Sequence, residues 1–283
     1  MQRSIEPSVH YDRITDAWRY IFGDNFHFGY FKDPKMGLNQ ATDALVDALA
    51  DLGEFSNEST VLDVGCGIGN PAFHLHEKYG CRITGISTSQ RGIEIAKMSS
   101  EEKGISHNVA FQIADGTKNG FGAQSFDIVW VLESSHLMEK ERLFSECHRV
   151  LKKGGQLLLC DLMLKKRPGI AEHFDYLARL KLAYPLGYLS MKKAFGRGKN
   201  ETFDYYAAKA RRVGFIGVEQ IDVSDEVLPT LEHWRANMST HRDAILKTFT
   251  PKQISDFIAA SNLLEDFFRN GIHGYGLLKA VKP

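Results

Sequence analysis

Three glycines at alternate positions, at the end of a short apolar run, are the feature that most constrains how this chain can fold. The run Val61–Gly65 predicts a buried strand, with a helix after the glycines. Glycine lets the backbone approach a ligand where a Cβ atom would clash. A pyrophosphate cradle needs Gly-x-Gly-x-x-Gly, whose third glycine would stand where this chain has Asn70. Gly65, Gly67 and Gly69 therefore predict a turn that holds a nucleoside ligand without a pyrophosphate.

Predicted strands and helices alternate from residue 60 onward. The alternation is typical of a parallel sheet with helices on both faces, whose ligands bind outside the carboxyl ends of the strands. The predicted strands are Val61–Gly65, Arg82–Ile86, Val109–Ile113, Phe126–Leu132, Gln156–Cys160, Ile216–Val223 and His273–Val281. The predicted helices are Asn70–Tyr79, Gln90–Gly104, Glu139–Leu151 and Thr202–Val213, with two further helical patterns in Glu226–Asn270. The sequence thus predicts an α/β fold with a seven-stranded, mostly parallel sheet.

Two stretches that break this alternation suggest the domain boundaries. Residues 1–59 are expected to form an N-terminal helical segment that covers the active site, and residues 60–163 the ligand-binding core. Residues 164–200, rich in aromatic and basic side chains, are expected to form a cap insert. Residues 201–283 are expected to complete the core, with a helical insertion over residues 226–270.

Composition excludes several classes of partner. Lysine plus arginine and aspartate plus glutamate both number 35, so the net charge is zero and the basic surface that nucleic acid requires is not expected. The four cysteines form no Cys-x-x-Cys pair, which predicts reduced thiols rather than disulfides or a zinc site. No stretch approaches the ~18 apolar residues of a membrane span. The chain is expected to be soluble and cytoplasmic, without membrane contact.

Several motifs occur in an order that resembles a known family. They are Asp63 to Gly69, Ala114-Asp115, Ser125-Phe126-Asp127, Glu133 and Leu151–Gly155. Residues 60–162 thereby resemble the class I S-adenosylmethionine-dependent methyltransferases, which have a Rossmann-like fold. The segments Tyr11-Asp12, Asn25–Phe31 and Ile86–Ser89 are similar to the branch that methylates small molecules, often natural products.

The resemblance implies methyl transfer from S-adenosylmethionine to an O, N or C atom of a small, largely apolar metabolite by in-line displacement. The implied partners are this acceptor and a second copy of the chain in a homodimer. Gly65, Gly67 and Gly69 are implied to pass under the methionyl part of the donor, with Asp63 near its amino group. Glu133 is also implied to contact the donor.

The remaining donor contacts come from the next two strand ends. Asp115 is implied to accept from the adenine amino group, with the backbone of Ala114 and Gly116 beside the ring, although Asp-Gly is also a frequent turn pair. Ser87 and Gln90 are implied ribose contacts. Most of the superfamily has an acid at the position of Ser87, and a serine that merely ends the strand is the alternative.

His136 is the leading candidate for a general base. An imidazole titrates near neutral pH and can take the proton of a hydroxyl or amine, although a histidine in a polar loop is often only solvated. Asp161 is the second candidate, either binding the acceptor or orienting His136. Glu133 could take a proton late if carbon is methylated. A metal shared by Glu133 and Asp161 is not expected, because the Asp-Asn pair of catechol-type relatives is absent.

The acceptor pocket is expected from aromatic residues outside the core. They are Phe28, Tyr30, Phe174, Tyr176, Tyr184 and Tyr188, with Tyr11 and Tyr30 also closing over the donor. Basic residues at 165–167 and 192–199 could instead hold a prenyl diphosphate for C-methylation, although charge runs are usually solvated. A nicotinamide-dependent oxidoreductase fits the fold but not the glycine spacing. A non-catalytic S-adenosylmethionine-binding module is the alternative of another class.

Overall fold

A single seven-stranded sheet organises the protein, whose computed structural model describes residues 18–166 and 199–283. The strands are β1 (Thr60–Val64), β2 (Arg82–Ser87), β3 (Val109–Ile113), β4 (Phe126–Leu132), β5 (Leu151–Leu164), β6 (Ile216–Asp222) and β7 (His273–Val281). Their spatial order is β3-β2-β1-β4-β5-β7-β6. β1 to β5 are parallel, and β7 lies antiparallel between β5 and β6. The predicted α/β fold with a mostly parallel sheet is confirmed.

Helices cover both faces of the sheet. They are α1 (Leu38–Ala50), α2 (Asn70–Tyr79), α3 (Gln90–Glu102), α4 (Lys140–Val150), α5 (Phe203–Val213), α6 (Ser224–Val227), α7 (Thr230–Thr240), α8 (Arg242–Ile245) and α9 (Pro251–Arg269). Residues 18–22 are also helical, and Ser135–Leu137 form a 3-10 turn. A capping box starts α9, since the Thr250 and Gln253 side chains each accept the other's backbone N–H. Among the described residues no helix is long and apolar enough to cross a bilayer.

The central strands are buried on both faces because their side chains alternate between two cores. Val61 of β1 and Ile128 of β4 pack with side chains of α1, α2, α3, α7 and α9. Their neighbours Leu62 and Val129 point the other way and pack with α4 and α5. Such continuous apolar strands are expected when helices cover both sides of a parallel sheet. Polar side chains are thereby left to the carboxyl ends of the strands, where the site forms.

The structure corrects two local predictions. β5 begins at Leu151 and not at the predicted Gln156, because the chain turns extended at Leu151 and the strand runs through Lys152 to Gly155. The Lys152 ammonium instead lies 2.9 Å from the Asp127 carboxylate. The first of the two helical patterns predicted in Glu226–Asn270 is divided between helices, since α7 ends at Thr240 and α8 begins at Arg242.

Candidate active site

A cavity of about 690 Å³ lies at the carboxyl ends of β1, β2, β4 and β5. Its volume falls within the range of small-molecule sites. Residues from the glycine turn, the ends of these strands, the 3-10 turn, α7, α9 and the segment before α1 line it. This is the sheet edge at which the strand–helix alternation predicted ligand binding.

The glycine turn forms the floor of the cavity. Gly65, Gly67 and Gly69 have φ values of 87°, 56° and 92°, a region that side-chain-bearing residues rarely adopt. A Cβ on Gly65 would lie 2.2 Å from the Cβ of Ser134, whereas a Cβ on Gly67 would meet no protein atom within 4 Å. Gly65 therefore permits close packing of two loops, and Gly67 leaves open space on the cavity side. Gly69 starts α2 against Phe111 and does not line the cavity.

Asp63 supplies an anionic group beside this turn. It is buried, its Oδ2 has no hydrogen-bond partner, and burial raises the pKa of its carboxyl to about 7. A buried carboxylate without a donor is costly unless a ligand completes it. The ammonium group of a methionyl moiety would supply the positive charge and the N–H donors that the Asp63 carboxylate needs as a partner. The residues present thus fit the amino-acid end of S-adenosylmethionine.

The ends of β2 and β3 extend the site in the direction expected for a nucleoside. The Ala114 N–H donates to the carbonyl of Ser87 (3.1 Å), so these two strand ends are adjacent, and both residues line the cavity. Asp115 and Gly116 also line it, while Asp115 Oδ1 accepts from the N–H and hydroxyl of Thr117 (both 2.8 Å). The turn geometry and the ligand contact expected of Asp115 are therefore compatible.

Gln90, by contrast, does not face the cavity. Its amide donates to Glu94 (2.8 Å) on the exposed side of α3, and it is not among the residues that line the site. Ser89, its neighbour, lines the cavity and caps α3 through the Gly92 N–H. Ser87 remains the better placed of the two residues predicted to contact ribose.

His136 and Asp161 form a closely bonded pair at the ends of β4 and β5. Although burial would raise the pKa of Asp161, the nearby His136 charge and its hydrogen bonds hold it below its usual value. The ionised carboxylate can only accept, so His136 Nδ1, 3.0 Å from Asp161 Oδ1, must carry the proton. In the neutral imidazole the Nε2 atom is then an acceptor, on a side chain that is 19% exposed.

The pair has the properties of a general base. Burial opposes protonation of His136, but the Asp161 charge outweighs it and holds the pKa of the imidazole above its usual value. Asp161 itself accepts from the His136 and Leu162 N–H groups and the Ser135 hydroxyl as well as from Nδ1. Its oxygens are therefore occupied, and His136 is the group available to a ligand.

Glu133 occupies a strained position between the covering segment and the core. Its φ is +46°, and its Oε1 accepts from the Phe28 N–H (2.7 Å) and from the Tyr275 hydroxyl (2.5 Å). Burial raises the pKa of its carboxyl to about 8, although these hydrogen bonds oppose the rise. Glu133 is thus largely a neutral acid at pH 7. Protein donors engage both carboxyl groups that the metal alternative would use.

Aromatic side chains form the other wall of the cavity. Phe28 packs on Trp234, with ring centroids 4.8 Å apart, and both line the site. Tyr30 does not line it; its ring lies instead under the Lys32 ammonium, at 5.9 Å. The other predicted aromatic residues, Tyr11, Phe174, Tyr176, Tyr184 and Tyr188, lie outside the described residues.

Sequence reasoning missed several residues that shape this site. Trp234 and Leu264 belong to the helical patterns in Glu226–Asn270, which the sequence did not connect with the site, yet both line the cavity. His273, at the start of β7, also lines it, and burial lowers the pKa of its imidazole to about 4. The apolar helical pattern alone does not separate a core face from a pocket wall.

Comparison with known proteins identifies the family. A family model described as a methyltransferase domain matches residues 62–159. The chain is 35% identical over 276 residues to the 27-O-demethylrifamycin SV methyltransferase of Amycolatopsis mediterranei, covering 96% of this chain and 95% of that one. It is 29% identical over 283 residues to the methyltransferase GfsG of Streptomyces halstedii, covering 99% and 95%.

Solved structures agree on the fold. The cyclopropane synthase MmaA2 from Mycobacterium tuberculosis superimposes with a TM-score of 0.85 at 18% identity, over 97% of this chain and 96% of that one. The [4+2]-cyclase SpnF superimposes with a TM-score of 0.80 at 25% identity, over 98% and 95%. The match to the methyltransferase domain and the two methyltransferase relatives identify S-adenosylmethionine as the cofactor. The chain belongs to the class I S-adenosylmethionine-dependent methyltransferases, in the branch that acts on small molecules such as natural products.

Proposed function

We propose that the enzyme methylates a hydroxyl group of a small, mainly apolar and uncharged metabolite, with His136 as the general base. The observation that carries the proposal is the His136–Asp161 pair, which turns an acceptor nitrogen toward the cavity. An alcohol or phenol must lose a proton when it is alkylated, whereas a thioether or alkene carbon needs no base at the start of the reaction. A positioned imidazole of raised pKa suits the first kind of acceptor.

When bound, S-adenosylmethionine would supply a methyl group on a positively charged sulfur. In-line attack on this carbon would break the C–S bond, and the sulfur would leave as a neutral thioether. His136 Nε2 accepts the proton as the acceptor O–H bond breaks and the new O–C bond forms. Asp161 stays ionised and stabilises the resulting imidazolium. The aromatic wall of Phe28 and Trp234 excludes water and orients the acceptor, and such positioning can supply about 7–11 kcal/mol of the barrier.

Two described lysines next to the insert favour an uncharged acceptor over a diphosphate. Lys165 and Lys199 flank the undescribed insert, and their ammonium groups pair with Asp222 (2.9 Å) and Glu201 (2.6 Å). Cations engaged in this way are poorly placed to hold a diphosphate. Solved structures of similar fold include geranyl diphosphate methyltransferases, so C-methylation of a prenyl diphosphate stays the second candidate, resting on basic residues of the insert.

Relatives suggest where to look for the acceptor. They include the rifamycin methyltransferase and, at 30% identity over 75% of this chain and 69% of that one, the erythromycin 3''-O-methyltransferase of Saccharopolyspora erythraea. Hydroxylated macrocycles with sugar or polyketide hydroxyls are therefore the first acceptors to test. A fold shared with a [4+2]-cyclase does not fix the reaction by itself, so the base pair rather than the fold carries this proposal.

The test is a panel assay with labelled S-adenosylmethionine. Hydroxylated macrocycles are compared with their O-methyl ethers and with geranyl diphosphate. We expect transfer to the free hydroxyl, and in His136→Asn a fall in kcat of about 100-fold or more with unchanged donor affinity. His241→Asn, at an exposed histidine, is the matched control. Transfer to geranyl diphosphate alone, or an unchanged rate in His136→Asn, would refute the proposal.

The covering role of the segments outside residues 60–163 belongs to the same proposal. It is supported by Phe28, Trp234 and Leu264, which come from the N-terminal segment and the helical insertion and all line the cavity. The homodimer and the cytoplasmic location stay predictions, to be tested by sedimentation and by cell fractionation.

A further inference from the structure

A chain of hydrogen bonds continues behind Asp161, away from the cavity. The Ser135 hydroxyl donates to Asp161 Oδ2 (2.5 Å) and lies 2.8 Å from the Tyr206 hydroxyl. Because the Ser135 hydroxyl donates its only proton to the carboxylate, the Tyr206 hydroxyl has to be the donor in the second bond. Tyr206 belongs to α5 and is fully buried. Every proton along the chain therefore points toward Asp161.

The buried ammonium of Lys140 holds the backbone around the same hydrogen-bond chain. Lys140, 4% exposed, donates to the carbonyls of Ser135 (2.7 Å), Met138 (3.1 Å) and Lys199 (3.2 Å). It also lies 5.6 Å from the centre of the Tyr206 ring, within cation–π distance. The Lys199 N–H in turn donates to the carbonyl of His136 (2.8 Å). The 3-10 turn that carries His136 is thus held from both sides.

We propose that Tyr206, Ser135 and Lys140 are positioning residues for the reaction, which together fix the imidazole of His136 with its lone pair toward the acceptor and limit its hold on a proton. These positioning roles rest on the proposed role of His136 as base. Donors to Asp161 spread its negative charge, and the Lys140 ammonium offsets it. A less basic carboxylate attracts the imidazolium less, so His136 stays neutral over more of the working pH range.

Among residues 18–166 and 199–283, three charged or titratable groups act most strongly on His136. Asp161 faces it from β5, Glu133 from the end of β4 and Lys140 from the start of α4. The Asp161 and Glu133 charges favour the imidazolium, and the Lys140 charge disfavours it. Because Glu133 is largely neutral at pH 7, Asp161 and Lys140 dominate the balance. Lys199 and Glu201 pair with each other at 2.6 Å nearby.

The test reads the proton of His136 directly and needs no acceptor. Protein labelled with 15N-histidine is titrated by NMR, with His136→Asn identifying the His136 signals among the 11 histidines. In the wild-type protein the neutral ring should carry its proton on Nδ1. We expect the titration midpoint to rise by about 0.5 pH units in Ser135→Ala and in Lys140→Met, and by a smaller amount in Tyr206→Phe.

Another lysine–tyrosine contact, within α5, provides matched controls. The Lys209 ammonium lies 5.5 Å from the centre of the Tyr205 ring, as Lys140 lies 5.6 Å from that of Tyr206, but it pairs with Glu141 at 2.6 Å. Tyr205→Phe and Lys209→Met should leave the His136 midpoint unchanged. If Lys140→Met does not fold, the Ser135 and Tyr206 variants decide the question.

An unchanged or lower midpoint in both Ser135→Ala and Tyr206→Phe, with Nδ1 still protonated, would overturn the proposal. This result is distinguishable from a failure of the proposed function, which shows as undiminished turnover in His136→Asn. With an accepted macrocycle in hand, the acid limb of kcat in Ser135→Ala should shift by the same amount as the NMR midpoint. The KM for S-adenosylmethionine should not change.

Discussion

The two ends of the cavity are built by different means. The donor end consists mainly of backbone, namely a glycine turn within five consecutive residues and the ends of β1 to β3. It also contains the buried carboxylate of Asp63. The base end is made of side chains that come from β4, β5, α4 and α5 and are joined by hydrogen bonds. Substitutions at the donor end should therefore act on binding through sterics. Substitutions at the base end should act on turnover through protonation.

The largest expected effect is a difference in stability between alanine variants at two glycines of the donor turn, Gly65 and Gly67. Gly65→Ala forces a Cβ to 2.2 Å from Ser134, so overpacking adds to the strain at positive φ and should destabilise the fold by about 3 kcal/mol. Gly67→Ala meets no protein atom and should lower the free energy of unfolding by only about 1 kcal/mol.

Chemical denaturation measures these stabilities, and calorimetric titration with S-adenosylmethionine measures the affinities. In Gly67→Ala the loss of affinity should exceed the loss of stability, because the added methyl group points into the space for the ligand. Equal stability losses in the two variants would show that the contact with Ser134 does not constrain the turn.

The next effect is on pH dependence, which should differ between the two ends. Donor affinity should increase as pH rises through about 7, because Asp63 must ionise to receive an ammonium group. Turnover should fall about tenfold per pH unit below the His136 pKa, which lies above 6.5. Asp63→Asn should remove the first dependence, whereas Asp161→Asn should move the second to lower pH, because the His136 pKa falls when the Asp161 charge is lost. If either variant changes both dependences, the two ends are not independent.

The His136–Asp161 pair should also make the stability of the fold depend on pH. The His136 pKa is raised in the folded state, so its contribution is complete below about pH 6.5 and is lost as pH rises through the folded value. The Asp161 pKa is lowered, so its contribution is present above about pH 4 and is lost on acidification through the folded value. The stability advantage of the wild type over Asp161→Asn should be largest between these limits in denaturant titrations.

A smaller effect is expected where the covering segment meets the donor turn. The Asn70 amide donates to the carbonyl of Asp24 (2.5 Å), which ties residues before α1 to the start of α2. Asn70→Ala should raise the KM for S-adenosylmethionine about three- to tenfold through loss of this bond, with kcat nearly unchanged. Asn270→Ala removes a similar amide–carbonyl bond to Asp266 at the far end of α9 and should change neither value. A fall in kcat alone would place Asn70 in the chemical step instead.

The smallest effect should be at Glu133, which lies between the two ends. Because its carboxyl group is largely protonated below about pH 8, an amide resembles its working form. Glu133→Gln should therefore keep kcat within about threefold at pH 7, whereas loss of a general base would cost about 100-fold or more. Tyr275→Phe, which removes the hydroxyl bonded to Oε1, is the companion variant. A large fall in kcat for Glu133→Gln at pH 7 would make Glu133 a base and weaken the assignment to His136.

The sequence by itself determined the sheet, its helices and the donor turn. The bounds predicted for β3, β4, β7 and α2 match the structure, because periodic apolar patterns and glycine ends are local properties of the chain. Gly65 and Gly67 could be read in the same way, since positive φ is required within a few residues of a strand end.

Only the tertiary structure decided how the base is held. His136 and Asp161 are 25 residues apart, Ser135 and Tyr206 are 71 apart, and Glu133 and Tyr275 are 142 apart. No periodicity connects such positions; β5 next to β4, and α5 packed against α4, bring them together. Tertiary packing likewise decides that Trp234 lines the cavity and that Gln90 does not. Local backbone preferences fix the donor turn, whereas the tautomer of His136 depends on contacts that exist only in the folded protein.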